Sequence, residues 1–393
     1  MATELLAAAD VFRTIGSIAL AVLILLIMIT VHEFGHYLAG KIFHFKINEF
    51  SIGFGPALFK KKNKKTGELF SVRAIPLGGY CAFEGEDGIE EEKDENGNVI
   101  PHVPHPDSFT KKKPWQRIIV LVAGALMNYL LALLLITVNL FSYGQTMVAV
   151  YEAEPTSEIS AEYCLQDKDV FLQAEGKNLY LTTDLVRAVK GKKAGDLIEF
   201  RVSRVVGKTD DGKNIRLEQD VKIMLRADAT AENSADLNGI WKALGIKYTE
   251  EGEYPGYQLA SSSYKFGFFQ TLGRSFVYSF KIAGSIFQVL GELLTGALGI
   301  SALGGPITTI RMTSKIASQG FGSFLEIAGF IGVNLAVFNL LPIPALDGSK
   351  VIFTAIEWVR KKPLNRKVEA IIHAVGFLLL FGFAILVDLL QFF

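Results

Sequence analysis

Three ionisable side chains fall within five residues near the start of the chain: His32, Glu33 and His36, in the pattern H-E-x-x-H of HEFGH. On a helix, positions i and i+4 stack on one face, so both imidazoles can grip one metal ion. Glu33 projects beside them, where it can accept a proton from water activated at the metal. In a random soluble sequence the pattern would weigh little. Here it lies in an apolar run from about Ile15 to Ala39, where a polar residue is costly and a functional candidate by default. The plain alternative is a set of satisfied polar groups lining a helical bundle.

A catalytic zinc takes three protein ligands and keeps one position open. The best candidate for the third is Asp347, in the stretch FNLLPIPALDG. Pro342 and Pro344 break the helix there, leaving irregular backbone that can turn a carboxylate inward. Gly348 is expected to allow a tight turn after it. An LDG triplet alone equally fits an ordinary helix-terminal turn. Depth supplies the constraint: Asp347 ends the third apolar run on the side of the membrane where HEFGH ends the first.

The elements that must position these groups are membrane spans. Half of the 393 residues are hydrophobic and 20% are charged, too apolar for an ordinary globular chain. The formal net charge is zero, and nothing points to a nucleic-acid partner. Apolar runs cover about Ile15–Ala39, Ile118–Phe141, Phe324–Leu341 and Ala370–Phe392, each near the roughly 20 helical residues that span a bilayer. A signal peptide is the rival for the first. Its core is too long, no A-x-A site follows, and Glu4 and Asp10 precede it. A further stretch, about Phe266–Ile300, is interrupted by Arg274, Lys281 and Glu292.

Lys60, Lys61, Lys62, Lys64 and Lys65 follow the first run, Lys111–Lys113 precede the second, and Arg360, Lys361, Lys362, Arg366 and Lys367 separate the last two. All face the cytoplasm if the N-terminus is outside and four helices cross. The Phe266–Ile300 stretch is then expected to lie in the interface or beside the bundle, and residues from Tyr143 to about Ser263 lie outside. Cys81 and Cys164 fall on opposite sides and are read as free thiols. Of the remaining histidines, His102 and His105 sit in an acidic, Pro-bearing loop (Gly85–Ser108) where no second metal site is expected.

Between the first two spans, Ile47–Phe59 and Leu69–Phe83 are β-prone, Gly-bearing runs joined by the basic turn KKKNKKTGE, which reads as a hairpin. HEFGH, NLLPIPALDG, IGFGPALF, IPLGGY, AGALMN and ALGGPITTI together resemble the site-2 protease family of intramembrane metalloproteases, in its bacterial RseP-type branch. The resemblance covers nearly the whole chain. It implies a polytopic α-helical membrane protein of four transmembrane helices with a re-entrant β-hairpin and an extracytoplasmic PDZ-like α+β domain. It makes His32, His36 and Asp347 ligands of Zn2+ and Glu33 the general base. It implies that Asn339 contacts the substrate backbone or steadies the site, and that Asn128 and the hairpin glycines Gly53, Gly55, Gly78 and Gly79 contact substrate. For either asparagine an interhelical hydrogen bond is the competing role. The hairpin's exposed edge could pair with an unwound substrate strand.

The stretch LQDKDVFLQAEGKNL, a helix near Thr183–Val189 and the later RVSRVVG resemble a PDZ domain, without a clear Gly-rich carboxylate-binding loop. That domain would bind peptides or exclude substrates by size. The expected division is a first transmembrane helix (1–45), hairpin and cytoplasmic loop (46–114), second helix (115–142), PDZ-like domain (143–228), linker and interfacial helices (229–323), third helix with LDG (324–349), cytoplasmic loop (350–369) and fourth helix (370–393). The resemblance implies a bacterial cell-membrane protease with its active site toward the cytoplasm. Its partners would be membrane lipid and single-spanning substrates such as anti-sigma factors or remnant signal peptides. A non-enzymatic scaffold would predict a decayed metal site, and a transporter would predict an inverted repeat; neither feature is seen.

Overall fold

Long apolar runs without interior proline fold as helices, and the computed structural model shows them so, for residues 2–86, 92–93, 99–100, 105–250, 255–300 and 303–391. His102 and most of the acidic run before it lie outside these residues. Five helices among those described are long and apolar enough to cross a membrane: Ile15–Ile42, Pro114–Ser142, Phe268–Thr295, Phe321–Asn339 and Arg366–Leu390. The third of these, the least apolar, is the stretch assigned above to the interface. The chain forms two compact units, Met1–Ile136 with Leu303–Phe393, and Thr137–Ala302.

In the first unit, α1 (Ala2–Ile42) carries HEFGH in its final turns, and α2 (Pro114–Ser142) begins at a proline, which suits the first helical turn because its missing N–H is not needed there. After the second unit come α6 (Pro306–Ala317), α7 (Phe321–Asn339), α8 (Asp347–Arg360) and α9 (Arg366–Leu390). Ile24 and Met28 of α1 are buried with Ala317, Ala328 and Ile331. Small residues let the helices close up: a β-carbon at Gly332 would lie 2.8 Å from that of Ala132. Two buried acids fasten the outer helices. Glu357 of α8 accepts a 2.6 Å bond from Arg117 of α2. Asp388 of α9 accepts from the backbone N–H groups of Ile307 and Thr308 at 2.8 and 3.1 Å, capping the exposed donors at the start of α6.

Strands β1 (Ile47–Lys62) and β2 (Leu69–Phe83) pair antiparallel, as in Ser51 with Tyr80 and Lys60 with Ser71. The pair is more than a flat hairpin. Glu49–Ile52 also lie beside Leu69–Val72, with the numbers rising together, so the start of β1 has neighbours on both edges. Both strands bend to allow this, β1 at Gly53 and Gly55 (φ 85° and 81°) and β2 at Gly78 (φ 154°), conformations that favour glycine. The base is a phenylalanine cluster of Phe45, Phe50, Phe83 and Phe109 with Val120 and Leu121 of α2. Short strands β3 (Glu92–Lys93) and β4 (Val99–Ile100) pair beyond it.

The second unit is built on an antiparallel sheet. Its strands are β5 (Gln145–Val150), β6 (Val170–Ala174), β7 (Lys177–Asn178), β8 (Leu197–Lys208), β9 (Asn214–Met224) and β12 (Leu259–Tyr264). They run in the order β12-β5-β6-β8-β9, with β7 on β6. Helices α3 (Thr182–Val189) and α4 (Asn238–Ala243) belong to the same unit, and β10 (Tyr248–Thr249) pairs with β11 (Gly256–Tyr257). Asp169 of the QDKD run is fully buried and takes two bonds from Arg204 of β8, at 2.9 and 2.6 Å.

Residues 229–264, given to a linker by the sequence reading, complete this domain instead. Ile240, Trp241, Leu244 and Ile246 are buried in the same core as Phe171 and Phe200, and β12 forms the sheet's edge against β5. A domain ending at 228 would leave that core face wet. The helix α5 (Phe268–Thr295) follows. Its interrupting charges have partners: Arg274 bonds Gln145 at 2.8 Å and the Leu179 carbonyl, Lys281 meets Asp184 at 2.5 Å, and Glu292 accepts from Ser234 at 2.6 Å.

Candidate metal centre

The metal-ligand reading of HEFGH needs a helix there, and α1 is continuous through it. His32 and His36 are buried, with their Nε2 atoms 3.1 Å apart. The approach of α2 rests on two glycines. A β-carbon at Gly35 would lie 2.4 Å from the Ala123 carbonyl oxygen, and one at Gly124 would lie 2.4 Å from His36 Nε2. His36 Nδ1 sits 2.8 Å from the Val120 carbonyl oxygen. Donation of the Nδ1 proton to that oxygen leaves Nε2 as the free electron pair, the tautomer a metal ligand needs.

Asp347 comes from the other end of the chain. Helix α7 stops at Asn339, residues 340–346 are irregular, and Asp347 opens α8. Its Oδ2 lies 2.9 Å from His32 Nε2 and 3.3 Å from His36 Nε2. Gly348 does not make the tight turn expected of it. It is already helical, and it is glycine because a β-carbon there would lie 2.3 Å from the carbonyl oxygens of both Leu340 and Leu341. The bend before Asp347 is made by Ala345, at φ 80°.

His32, His36 and Asp347 form a cluster that could hold one metal ion. Ligand bonds of about 2.0–2.1 Å in a tetrahedron place donor atoms about 3.3 Å apart, and the three separations here are 2.9, 3.1 and 3.3 Å. Two imidazole nitrogens and one carboxylate oxygen match zinc better than the all-oxygen sets of calcium or magnesium. Apart from its ion contacts with the two histidines, Asp347 Oδ2 is buried without a hydrogen-bond partner, as expected of an atom whose natural partner is a cation.

A cavity of about 280 Å³ opens beside the cluster, lined by His32, Glu33, Asn128, Asn339, Leu346 and Asp347 among others. Glu33 faces the hairpin: its carboxylate accepts from the Cys81 N–H, and Gly79 stands against its Cγ. Asn339 places its amide 3.3 Å from His32 Nδ1. The atom facing the ring is the amide nitrogen; with Nε2 on a metal, Nδ1 carries the proton, and turning the Asn339 amide over presents its carbonyl oxygen to accept it. Asn128 is 1% exposed, and neither amide atom has a hydrogen-bond partner. Gly79 stands against Glu33, whereas Gly53, Gly55 and Gly78 bend the hairpin; none of the four is among the residues lining the cavity. Cys81 and Cys164 are free thiols. His105 pairs with Asp107 at 3.8 Å, away from the cluster.

Three contributors carried no role in the sequence reading: Gly35, Gly124 and the Val120 carbonyl. The glycines of HEFGH and AGALMN were the available signal for the first two. A backbone carbonyl leaves none.

A profile of Peptidase family M50 matches residues 20–383. The chain belongs to peptidase family M50. Candidate zinc metalloproteases of Clostridium perfringens and Fusobacterium nucleatum are similar to it throughout. The first is 32% identical over 364 residues, covering 92% of this chain and 94% of the relative. The second is 30% identical over 380 residues, covering 94% and 96%. A further candidate zinc metalloprotease, of Brucella suis, is 29% identical over 373 residues, covering 94% and 93%. The description of these relatives as zinc metalloproteases agrees with a cluster of two histidines and one aspartate that suits zinc.

Proposed function

We propose that this protein is an intramembrane zinc metalloprotease that hydrolyses peptide bonds within transmembrane segments. One observation carries the reading: His32, His36 and Asp347 converge around a single point, with Glu33 in the adjoining cavity, on elements joined to membrane-length helices.

In this reading His32, His36 and Asp347 hold zinc. When bound, zinc supplies Lewis acidity that activates water and polarises the scissile carbonyl. Glu33 takes the proton from the attacking water and returns it to the leaving amine. The Cys81 N–H orients the Glu33 carboxylate. Asn339 fixes the His32 ring, and Asn128 offers both halves of its amide to a substrate peptide. A transmembrane helix must unwind before its backbone can be cut. The edge of β2 around Gly79 and Cys81 runs beside Glu33, so a peptide paired along it would present extended backbone to the base. Gly53, Gly55 and Gly78 shape that edge.

Four crossings, with the α5 helix committed to the sheet domain, keep the Lys60–Lys65, Lys111–Lys113 and Arg360–Lys367 clusters on the cytoplasmic side. The second unit then lies outside as a PDZ-like domain and admits substrates already trimmed there. Single-spanning proteins such as anti-sigma factors or remnant signal peptides fit that requirement, in a bacterial cell membrane. Comparing membrane proteomes of cells carrying the wild-type protein or Glu33→Gln tests this. Short membrane stubs should accumulate with the variant; identical proteomes would remove the reading.

A further inference from the structure

We infer that His373, on a helix that supplies no ligand, is a positioning residue that sets the place of Asp347; this rests on the reading of Asp347 as a zinc ligand. The segment between α7 and α8 contains one non-glycine residue in the left-handed region, Ala345 at φ 80°. A residue with a β-carbon stays there only when its surroundings over-determine it.

Helix α9 provides that determination twice. The Ala345 N–H donates to His373 Nδ1 at 3.0 Å. One turn further on, Pro344 rests directly on Gly376, where a β-carbon would lie 2.3 Å from the proline Cβ and 3.0 Å from its carbonyl oxygen. The same imidazole stands edge-on to Phe353 of α8, with ring centroids 5.6 Å apart and planes at 86°. One side chain therefore grips the segment just before Asp347 and the helix just after it.

The consequence reaches the metal cluster through the backbone. Ala345 and Leu346 line the cavity beside His32 and Asp347. Rotation about Ala345 into an ordinary conformation would swing the following residues and carry Oδ2 away from its 2.9 and 3.3 Å contacts. His373 touches none of the three ligands, so its effect on metal binding is indirect and depends on Ala345 being strained.

That dependence gives the test. The full-length protein is purified in nanodiscs and loaded with zinc. The rate at which EDTA strips the metal is measured together with kcat and KM on a transmembrane substrate. His373→Leu should lose zinc about tenfold faster, in the range typical of groups supporting a ligand, with kcat reduced and KM within about twofold of wild type. His373→Asn, whose oxygen can accept the Ala345 N–H, should retain zinc nearly as the wild type does. Adding Ala345→Gly to His373→Leu should recover most of the loss, because glycine takes φ 80° unaided. Asp347→Asn is the control: if it holds zinc as tightly as wild type, the ligand reading fails. If Asp347→Asn releases zinc while His373→Leu holds it normally, the positioning role is overturned. If His373→Leu is poorly folded and neither His373→Asn nor Ala345→Gly rescues it, His373 is packing only and the role is likewise overturned.

Discussion

Gly124 of α2 faces His36 so closely that a β-carbon there would lie 2.4 Å from Nε2 and 2.8 Å from Cε1 of His32. The two imidazoles thus pack directly against the backbone of α2. Gly124→Ala should displace both rings. Zinc content after purification is expected to fall by more than about tenfold, while circular dichroism stays unchanged. Full zinc occupancy in this variant would show that α2 does not shape the site.

Asn128 presents a trade between stability and activity. Its buried amide has no partner for either atom, a state that costs about 1–3 kcal/mol. Asn128→Leu should therefore raise the thermal midpoint and lower kcat/KM by about tenfold. If stability falls instead, the amide serves an interhelical bond.

The Arg117–Glu357 pair joins α2 to α8, both side chains being less than a tenth exposed. Burial pushes the Glu357 carboxyl up, but the Leu364 N–H and the Arg117 and Arg366 guanidinium groups outweigh it and hold the group below its ordinary value of 4.5. A lowered folded-state value means the stabilisation is complete above 4.5 and is lost as pH falls through the lowered value. Wild-type melting temperature should drop in that acid range, and Glu357→Gln should flatten this part of the profile. At neutral pH, Glu357→Ala leaves Arg117 buried and alone and should cost about 3 kcal/mol in chemical denaturation.

Asp388 caps a helix on which it does not reside, accepting from the Ile307 and Thr308 N–H groups and the Thr308 hydroxyl at 2.8, 3.1 and 3.0 Å. Gly305 makes room, since a β-carbon there would lie 2.4 Å from Asp388 Cγ. Asp388→Ala should destabilise the protein by about 1–2 kcal/mol, with hydrogen exchange rising first in residues 306–310. Uniform exchange across α6 would contradict the capping role.

Much of this was legible in the sequence because it is local. The H-E-x-x-H spacing states which helix face holds the imidazoles, and two β-prone, Gly-bearing runs joined by a basic turn mark β1 and β2. Two prolines announce the end of α7 at Asn339. What was not legible depends on distant chain segments. Gly348 reads as a turn glycine until the Leu340 and Leu341 carbonyls are seen against it. Trp241 reads as linker until it is found in the core of the sheet domain. The charges of α5 read only as marking a helix in the interface or beside the bundle; that they answer Gln145, Asp184 and Ser234 is seen in the fold alone. Hydropathy alone cannot report such partners.

The most direct measurement is cleavage of a purified transmembrane substrate by Glu33→Gln in nanodiscs, with bound zinc counted in the same sample. The expected result is one zinc per chain, an unchanged melting temperature, and cleavage reduced by at least about 100-fold, as for loss of a general base. Cleavage at the wild-type rate with zinc in place would contradict the account, because the proton would then be handled by some group other than Glu33.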